Sequence, residues 1–500
     1  MSYLYAAIPI LLVLALMLFF KRGSHQAGFA GWLAGIVIAV LAFGLNWQVF
    51  WVSQVKGLLL TLNVLMLLWP SILMYFLVDE VGGIRAIANA LSHVVPDTGW
   101  LVVVQAWMLS ALVENLAGFG MPIAIVSPML IALGVNPVKA VAASAMGHSW
   151  AVSTSGMGLS IRTLADVSAT NVSEIFPTAA VLLGAAAILT GLGVSFVLGQ
   201  PRQWWRVVIL GTVVGLTQYG VGMLGLVQIS SFIAAIVGVV VGILLCRCST
   251  GTLKNIKVDG ALRSGLLSYG ILIAVVLFIS LVKPLNGFLA QVTWTLQFPQ
   301  VTSGTGLVTP AGGGYLFKPL VNAGTMILLS ILLATIFLPR VNTYQRFDFK
   351  YALSAMLKSA LPASVGTLFM IGLSTMMEHT GMTRLIAQGL STYIGSVYPL
   401  VAPLVGMLGA FTTGSNTNSN VLFGLMQKNV ANLLGINPVS LLAGQTTGGA
   451  LGSMIAPAKL AVGCSTSEAK GQEGQVLRIT LPIGLGIVLV IGLILLVLFV

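Results

Sequence analysis

The chain has 500 residues, of which 57% are hydrophobic and only 7% charged. A soluble protein carries about 25% charged residues, so this composition excludes a soluble globular fold. The net charge of +12 is scattered over connecting segments rather than gathered on one face, which excludes a nucleic-acid surface and reports membrane topology instead.

Apolar runs of about 20 residues recur along the whole length, continuous rather than alternating, which leaves an all-α polytopic membrane protein and rules out a β-barrel. The first run, Ser2 to Phe20, has no basic start and no small-residue cleavage site, and Lys21-Arg22 follows it. It reads as a retained first helix with its N-terminus outside, not as a signal peptide. About twelve spans are expected, near 2–20, 27–46, 56–78, 137–165, 174–198, 203–221, 226–247, 265–283, 321–339, 357–377, 438–466 and 477–500. Two stretches remain, 98–134 and 398–434, each with two short apolar segments around a polar, Gly-rich middle. Each is expected to be a re-entrant hairpin, since non-helical backbone at membrane depth survives only where protein or a wet cavity surrounds it.

The sequence repeats itself at an offset of about 300 residues. DEVGGIRAIANALS (79–92) matches EHTGMTRLIAQGLS (378–391), and GVNPV (134–138) matches GINPV (435–439). After each NPV comes a small-residue helix interrupted by polar residues. With the basic residues placed inside, three helices between the copies invert the second. The expected organisation is a first helix (1–20), repeat one (21–200, hairpin 98–134, broken helix 137–165), connecting helices and an external loop (201–320), and repeat two (321–500, hairpin 398–434, broken helix 438–466). The first hairpin then enters from inside and the second from outside, and both chain termini lie outside the cytoplasmic membrane. Inverted repeats with broken helices are the architecture of secondary transporters, whose site lies near the midplane.

A half-helix N-terminus at that depth offers unpaired N–H groups and a partial positive charge to a small anion. The second tip, TTGSNTNSN (412–420), supplies Thr417, Asn418, Ser419 and Asn420 as N-cap types for the returning half-helix, and hydroxyl and amide groups for a carboxylate. Thr446-Thr447-Gly448-Gly449 is expected to break the second partner helix. His148, Ser149, Ser153, Thr154 and Ser155, around Gly147 and Gly156, do so in the first. Close packing through small residues is the plainer role for such positions, as for GWLAG (31–35), GTVVG (211–215) and GVVVG (238–242). Asn136-Pro137 and Asn437-Pro438 read as turns opening a helix.

Ionisable residues at depth are few: Glu114, His148, Arg162, Asp166 and Lys459. Unpaired buried charge is costly, so each is a candidate functional group. Glu114 and His148 are the candidate proton carriers; hairpin tying by Glu114, core packing by His148 and snorkelling by Arg162 or Lys459 are the plainer roles. Of the cysteines, Cys246 and Cys248 are too close in sequence for a structural metal site, and neither metal nor cofactor is expected.

ENLAGFGMPIAI (114–125), GSNTNSN (414–420), TTGG (446–449) and SMIAP (453–457) together resemble the lactate permease family, bacterial and archaeal carriers of lactate and glycolate. The resemblance runs over essentially the whole length. It implies a single-chain transporter that imports small 2-hydroxy monocarboxylates, usually with protons. Glu114, Gly118, Phe119 and Gly120 match the first-tip motif, and Ser415, Thr417, Ser419 and Asn420 the second. The chain departs from the family pattern at Asn416, usually aspartate, at His148, usually asparagine, and at Ser453, usually lysine, with Lys459 six residues on.

The leading expectation is therefore a proton-coupled carrier of a small carboxylate. A sodium-coupled carrier of another organic anion is the alternative. An intramembrane enzyme is a third reading, but no H-E-x-x-H, paired-aspartate or G-x-S-x-G motif occurs.

Overall fold

The structure, a computed structural model, describes residues 2–20, 22–84, 86–87, 98–116, 118, 120–250, 259–313, 317–341 and 348–499. Among these residues, ten helices are long and apolar enough to cross a membrane. The chain opens with α1 (Ser2–Leu18), α2 (Ser24–Ala42) and α3 (Trp47–Glu80). At 34 residues, α3 is far longer than the expected 56–78. Its polar first turns lay outside the expected span, yet Asn46 caps the helix by accepting the Val49 amide, and Gln54 accepts from the Trp32 indole at 2.9 Å.

The first hairpin follows. Its incoming arm α4 (98–116) joins Thr98–Val104, a π-turn at Gln105–Leu109 and Ser110–Leu116. Its returning arm is α5 (Met121–Ala132). The broken helix comes next, as α6 (Pro137–Gly147), a 3-10 turn at Ser149–Ala151, and α7 (Ser155–Val167). Then come α8 (Val172–Val197), α9 (Trp204–Met223), α10 (Ser230–Thr250), α11 (Gly260–Leu281) and the short α12 (Lys283–Leu289). The connector at 284–320 is more than a loop. It contains α12 and two short antiparallel strand pairs, β1 (Gln297–Phe298) with β4 (Gly312–Gly313) and β2 (Val301–Thr302) with β3 (Val308–Thr309), in an otherwise helical chain.

The second half contains α13 (Ala323–Val341), α14 (Phe349–His379) and α15 (Met382–Ile394), the last an amphipathic helix not anticipated as a span. The second hairpin is α16 (Tyr398–Thr413) and α17 (Asn416–Leu434). The second broken helix is α18 (Pro438–Gly452) and α19 (Pro457–Ser465), followed by α20 (Glu473–Phe499).

Matching local structure recurs at matching places. Asn136 and Asn437 both cap a helix with proline in its first turn, accepting the amides of Val138 and Val439. Gly147 in α6 lies where a Cβ would stand 1.8 Å from the Ala106 carbonyl oxygen of its hairpin arm. Gly448 in α18 lies equally close, 1.8 Å, to the Pro403 carbonyl oxygen of its own arm. In both halves the broken helix is held backbone to backbone against its hairpin by a missing side chain, the small-residue packing that substitutes for hydrophobic drive in lipid.

This overturns one expectation. Thr446 to Gly449 do not break the second helix, which stays regular through Gly452 and breaks only at 453–456. The glycines there serve a close approach. The first break falls where expected, at 148–158, with Gly156, Met157 and Gly158 all at positive φ.

Candidate substrate-binding site

The two hairpin tips, the first helix break and the first turn of α19 meet around one cavity of about 110 Å³. Holding one water takes roughly 10–15 Å³, so this space admits several waters or a small organic anion. At the first tip the turn needs left-handed backbone, which Gly118 (φ +62°) and Gly120 (φ +87°) provide without a Cβ penalty. Phe119 lies outside the described residues. Glu114, one turn before the tip, faces the cavity and is only 3% exposed. Its Oε1 accepts from Ser155 Oγ at a long 3.5 Å, and its Oε2 has no partner among the described residues.

At the second tip the helix cap is Ser415, whose hydroxyl accepts the Asn418 amide at 3.3 Å. Thr417 to Asn420, expected to be the caps, fill the first turn instead. The first amides of a helix lack intrahelical acceptors. With that of Asn418 satisfied, those of Asn416 and Thr417 remain for whatever occupies the cavity. The N-terminus of α19 adds a second such end, with no side-chain cap at Ala456. Lys459, in its first turn, lines the cavity, is 8% exposed, and makes no hydrogen bond to a described residue. It packs beside Gly120, whose missing Cβ would lie 3.6 Å from the lysine Cγ. Lys459 is therefore not a snorkelling surface residue.

Behind the cavity wall lies a hub of amides and oxygens. Asn416 Nδ2 donates to Ser153 Oγ at 3.1 Å, Thr446 O at 3.2 Å and Thr446 Oγ1 at 3.4 Å. Asn420 Nδ2 donates to Ser160 O at 3.0 Å and Thr446 Oγ1 at 3.1 Å. Ser153 Oγ donates to Thr446 O at 2.8 Å, and His148 Nε2 meets Ser453 Oγ at 3.4 Å. Ser153 with Thr446 and His148 with Ser453 show the first break crossing the C-terminal half of α18 and its end antiparallel.

The predicted residues therefore fall into three groups. Glu114, Gly118, Ser155, Ser415, Asn416, Thr417 and Lys459 line the cavity. His148, Ser153, Thr154, Thr446 and Asn420 support it from behind, Thr154 by accepting from Gln218 at 3.0 Å. Asn418, Ser419 and Thr447 do neither. Asn418 accepts from Thr367 at 3.4 Å, Ser419 donates to Gly406 O at 2.7 Å, and the buried Thr447 hydroxyl has no partner. Arg162 and Asp166 lie apart, Arg162 donating to Gln228 at 3.4 Å and Asp166 accepting from Asn63 at 2.7 Å.

The sequence reading missed three contributors. Ser160 pairs with Thr417 at 3.0 Å across the halves. Tyr269 of α11 lines the cavity while donating to Leu116 O at 2.9 Å; a lone Ser-Tyr pair in an apolar run was the available signal. Met157, at φ +60° on the cavity wall, holds a conformation that costs an L-residue about 1–3 kcal/mol and clusters at functional sites.

A protein from Streptococcus iniae named L-lactate permease is 28% identical over 459 residues, covering 88% of this chain and 92% of its own. Escherichia coli glycolate permease GlcA is 25% identical over 542 aligned positions, covering 99% of this chain and 95% of its own. Among solved structures, the Alcanivorax borkumensis YdaH transporter aligns over 86% of this chain and 84% of its own, at 15% identity and a TM-score of 0.48. The family model described as L-lactate permease matches residues 2–500, and the chain, a multi-pass membrane protein, belongs to that family.

Proposed function

We propose that the chain is a secondary active transporter for small 2-hydroxy monocarboxylates, L-lactate and also D-lactate or glycolate, in symport with protons across the cytoplasmic membrane. One observation carries this reading: a partnerless carboxylate oxygen and a lysine share a small cavity with two helix N-termini. The names of the Streptococcus iniae and Escherichia coli relatives support the substrate class.

The substrate carboxylate sits against the amides of Asn416 and Thr417 and the Lys459 ammonium, where helix ends and a cation favour negative charge. Its 2-hydroxyl meets Ser155 or the Thr417–Ser160 pair. Glu114 carries the proton. One anion with one proton is electroneutral, so uptake responds to a pH gradient more than to voltage. Alternating access moves the cavity between faces, with the hairpin of α4 and α5 entering from inside and that of α16 and α17 from outside. The N- and C-termini lie outside.

Counterflow of labelled lactate in proteoliposomes, competed by glycolate, pyruvate and longer acids under separately imposed proton and sodium gradients, tests the reading. The expected result is saturable exchange of 2-hydroxy monocarboxylates that a proton gradient drives and a sodium gradient does not. Exchange that ignores lactate and glycolate sinks it. Replacing Lys459 with methionine is expected to raise the KM for lactate about tenfold or more, the value of a hydrogen bond to a charged group. An unchanged KM would return Lys459 to a packing role.

The sodium-coupled alternative meets one adverse observation. The oxygens that would ligate a cation where the first break crosses α18, Ser153 Oγ and the two of Thr446, are taken up by the Asn416 amide nitrogen. Asn416→Asp puts a carboxylate against those oxygens. Sodium-free uptake is expected to fall about tenfold, the cost of losing a buried donor, with sodium restoring part of it. The readout is uptake as sodium is titrated against choline, and wild-type uptake without sodium would refute the assignment.

A further inference from the structure

The two hairpins differ in one backbone feature. The incoming arm α16 is regular, whereas its counterpart α4 contains a π-turn at Gln105–Leu109. Isolated π-turns within α-helices are frequent at functional sites. This one changes which residues share a face. The Ser110 amide donates to the Gln105 carbonyl, five residues back, so Gln105 stands one turn below Ser110. Glu114 stands one α-turn above it. In a regular helix Gln105 would be rotated away from that line.

All three side chains are buried, Gln105 at 2% exposure, Ser110 at 0% and Glu114 at 3%. Each has a polar atom without a partner among the described residues: both amide atoms of Gln105, the hydroxyl of Ser110 and Oε2 of Glu114. Ser110 shares an orphaned hydroxyl with Ser268, Tyr398, Thr447 and Thr480, but it alone of these lies in line with a second orphaned side chain and Glu114 on α4. Ser144, Ser330 and Ser364, also buried in helices, each donate to the carbonyl four residues back. Ser110 does not, and its fourth-back carbonyl, that of Ala106, is pressed against Gly147. Each buried polar group left unsatisfied costs about 1–3 kcal/mol, and water is what ordinarily satisfies such groups. The line from Glu114 down to Gln105 covers nine helical steps, about 13 Å, running from the tip toward the base of the hairpin.

We infer that Gln105, Ser110 and Glu114 line a file of water along one face of α4, and that this file carries the coupling proton between Glu114 and the base of the hairpin. The step only exchanges O–H bonds. Glu114 gives its proton to the first water, a proton leaves the last, and nothing is oxidised or reduced. The titratable groups around the upper end are Lys459 and Tyr269, which share the Glu114 cavity, and His148 at the neighbouring break. Ser155 bonds Glu114 from α7, and Ser231 of α10 bonds the adjacent Asn115 at 2.7 Å. The inference rests on the proton-symport reading.

The test compares two rates in proteoliposomes for Gln105→Leu, Ser110→Ala and Glu114→Gln: lactate uptake driven by a pH gradient, and lactate counterflow at equal pH. For Gln105→Leu and Ser110→Ala, driven uptake is expected to fall about a hundredfold, the low end for removal of a proton-transfer group, with counterflow within about twofold of wild type. Driven uptake near wild type in both variants overturns the file. So does a parallel loss of both rates, which marks a packing defect. Glu114→Gln separates the two ideas. If it alone uncouples transport, the file fails and proton symport stands; if it leaves driven uptake unchanged, symport through Glu114 fails as well.

Discussion

In Glu114→Gln, lactate uptake driven by a pH gradient falls by about two orders of magnitude, the contribution of a positioned proton carrier, while exchange at equal pH persists. The substitution is chosen for what it preserves. Glutamine keeps the length of the side chain and an oxygen for the Ser155 hydroxyl, which reaches Oε1 at 3.5 Å. It also resembles the protonated carboxyl, the form in which the carrier would cross loaded. It removes only the capacity to release a proton. The plainer role for Glu114 is to tie the first tip through hydrogen bonds. The structure gives that role one long bond and leaves Oε2 without a partner. A tie would survive as the amide, so transport with unaltered pH dependence in this variant would establish tying and remove Glu114 from the coupling step. The measurement is initial uptake over a series of external pH values, set beside counterflow for the same protein.

Glu114 also illustrates what could be read without coordinates. A carboxylate between two half-length apolar segments is anomalous in lipid, and that anomaly led to the hairpin and the cavity. Repeated NPV segments likewise announced helix starts, because asparagine before proline is both a cap and a fixed first residue. Other features carried no such mark. The polar opening of α3, before residue 56, fell outside the expected span, although its cap and inter-helix hydrogen bonds hold it in the helix. The π-turn of α4 changes one hydrogen bond in an apolar stretch and leaves no trace in composition. Asn418 and Ser419 have the same side-chain chemistry as Asn416 and Thr417, yet helix rotation turns them onto Thr367 and Gly406. Polarity identified the segment, and only the helix phase decides which members reach the cavity.

The second large effect concerns Thr446 to Gly449, where a polar, Gly-rich segment looks like a break and is a regular helix. A break would bind substrate through its freed backbone, and adding a methyl there would weaken affinity. A close approach makes a different prediction. At Gly448 a Cβ would stand 1.8 Å from the Pro403 carbonyl oxygen, with backbone on both sides and nothing flexible to yield. Overpacking of this kind costs about 1–3 kcal/mol and forces α16 off α18. Gly448→Ala is thus expected to lower the unfolding temperature in detergent by several degrees, and to lose transport with the packing. Gly449→Ala should behave differently. Its Cβ would meet Asn416 Oδ1 at 2.1 Å, so the strain falls on the side chain that holds Ser153 and Thr446 together. There the KM should rise with a smaller loss of thermal stability. Gly486→Ala in α20, with nothing within 4 Å of the added Cβ, is the control and should change neither. If Gly448→Ala keeps its unfolding temperature and loses only affinity, the glycines serve the substrate and not the approach of the two helices.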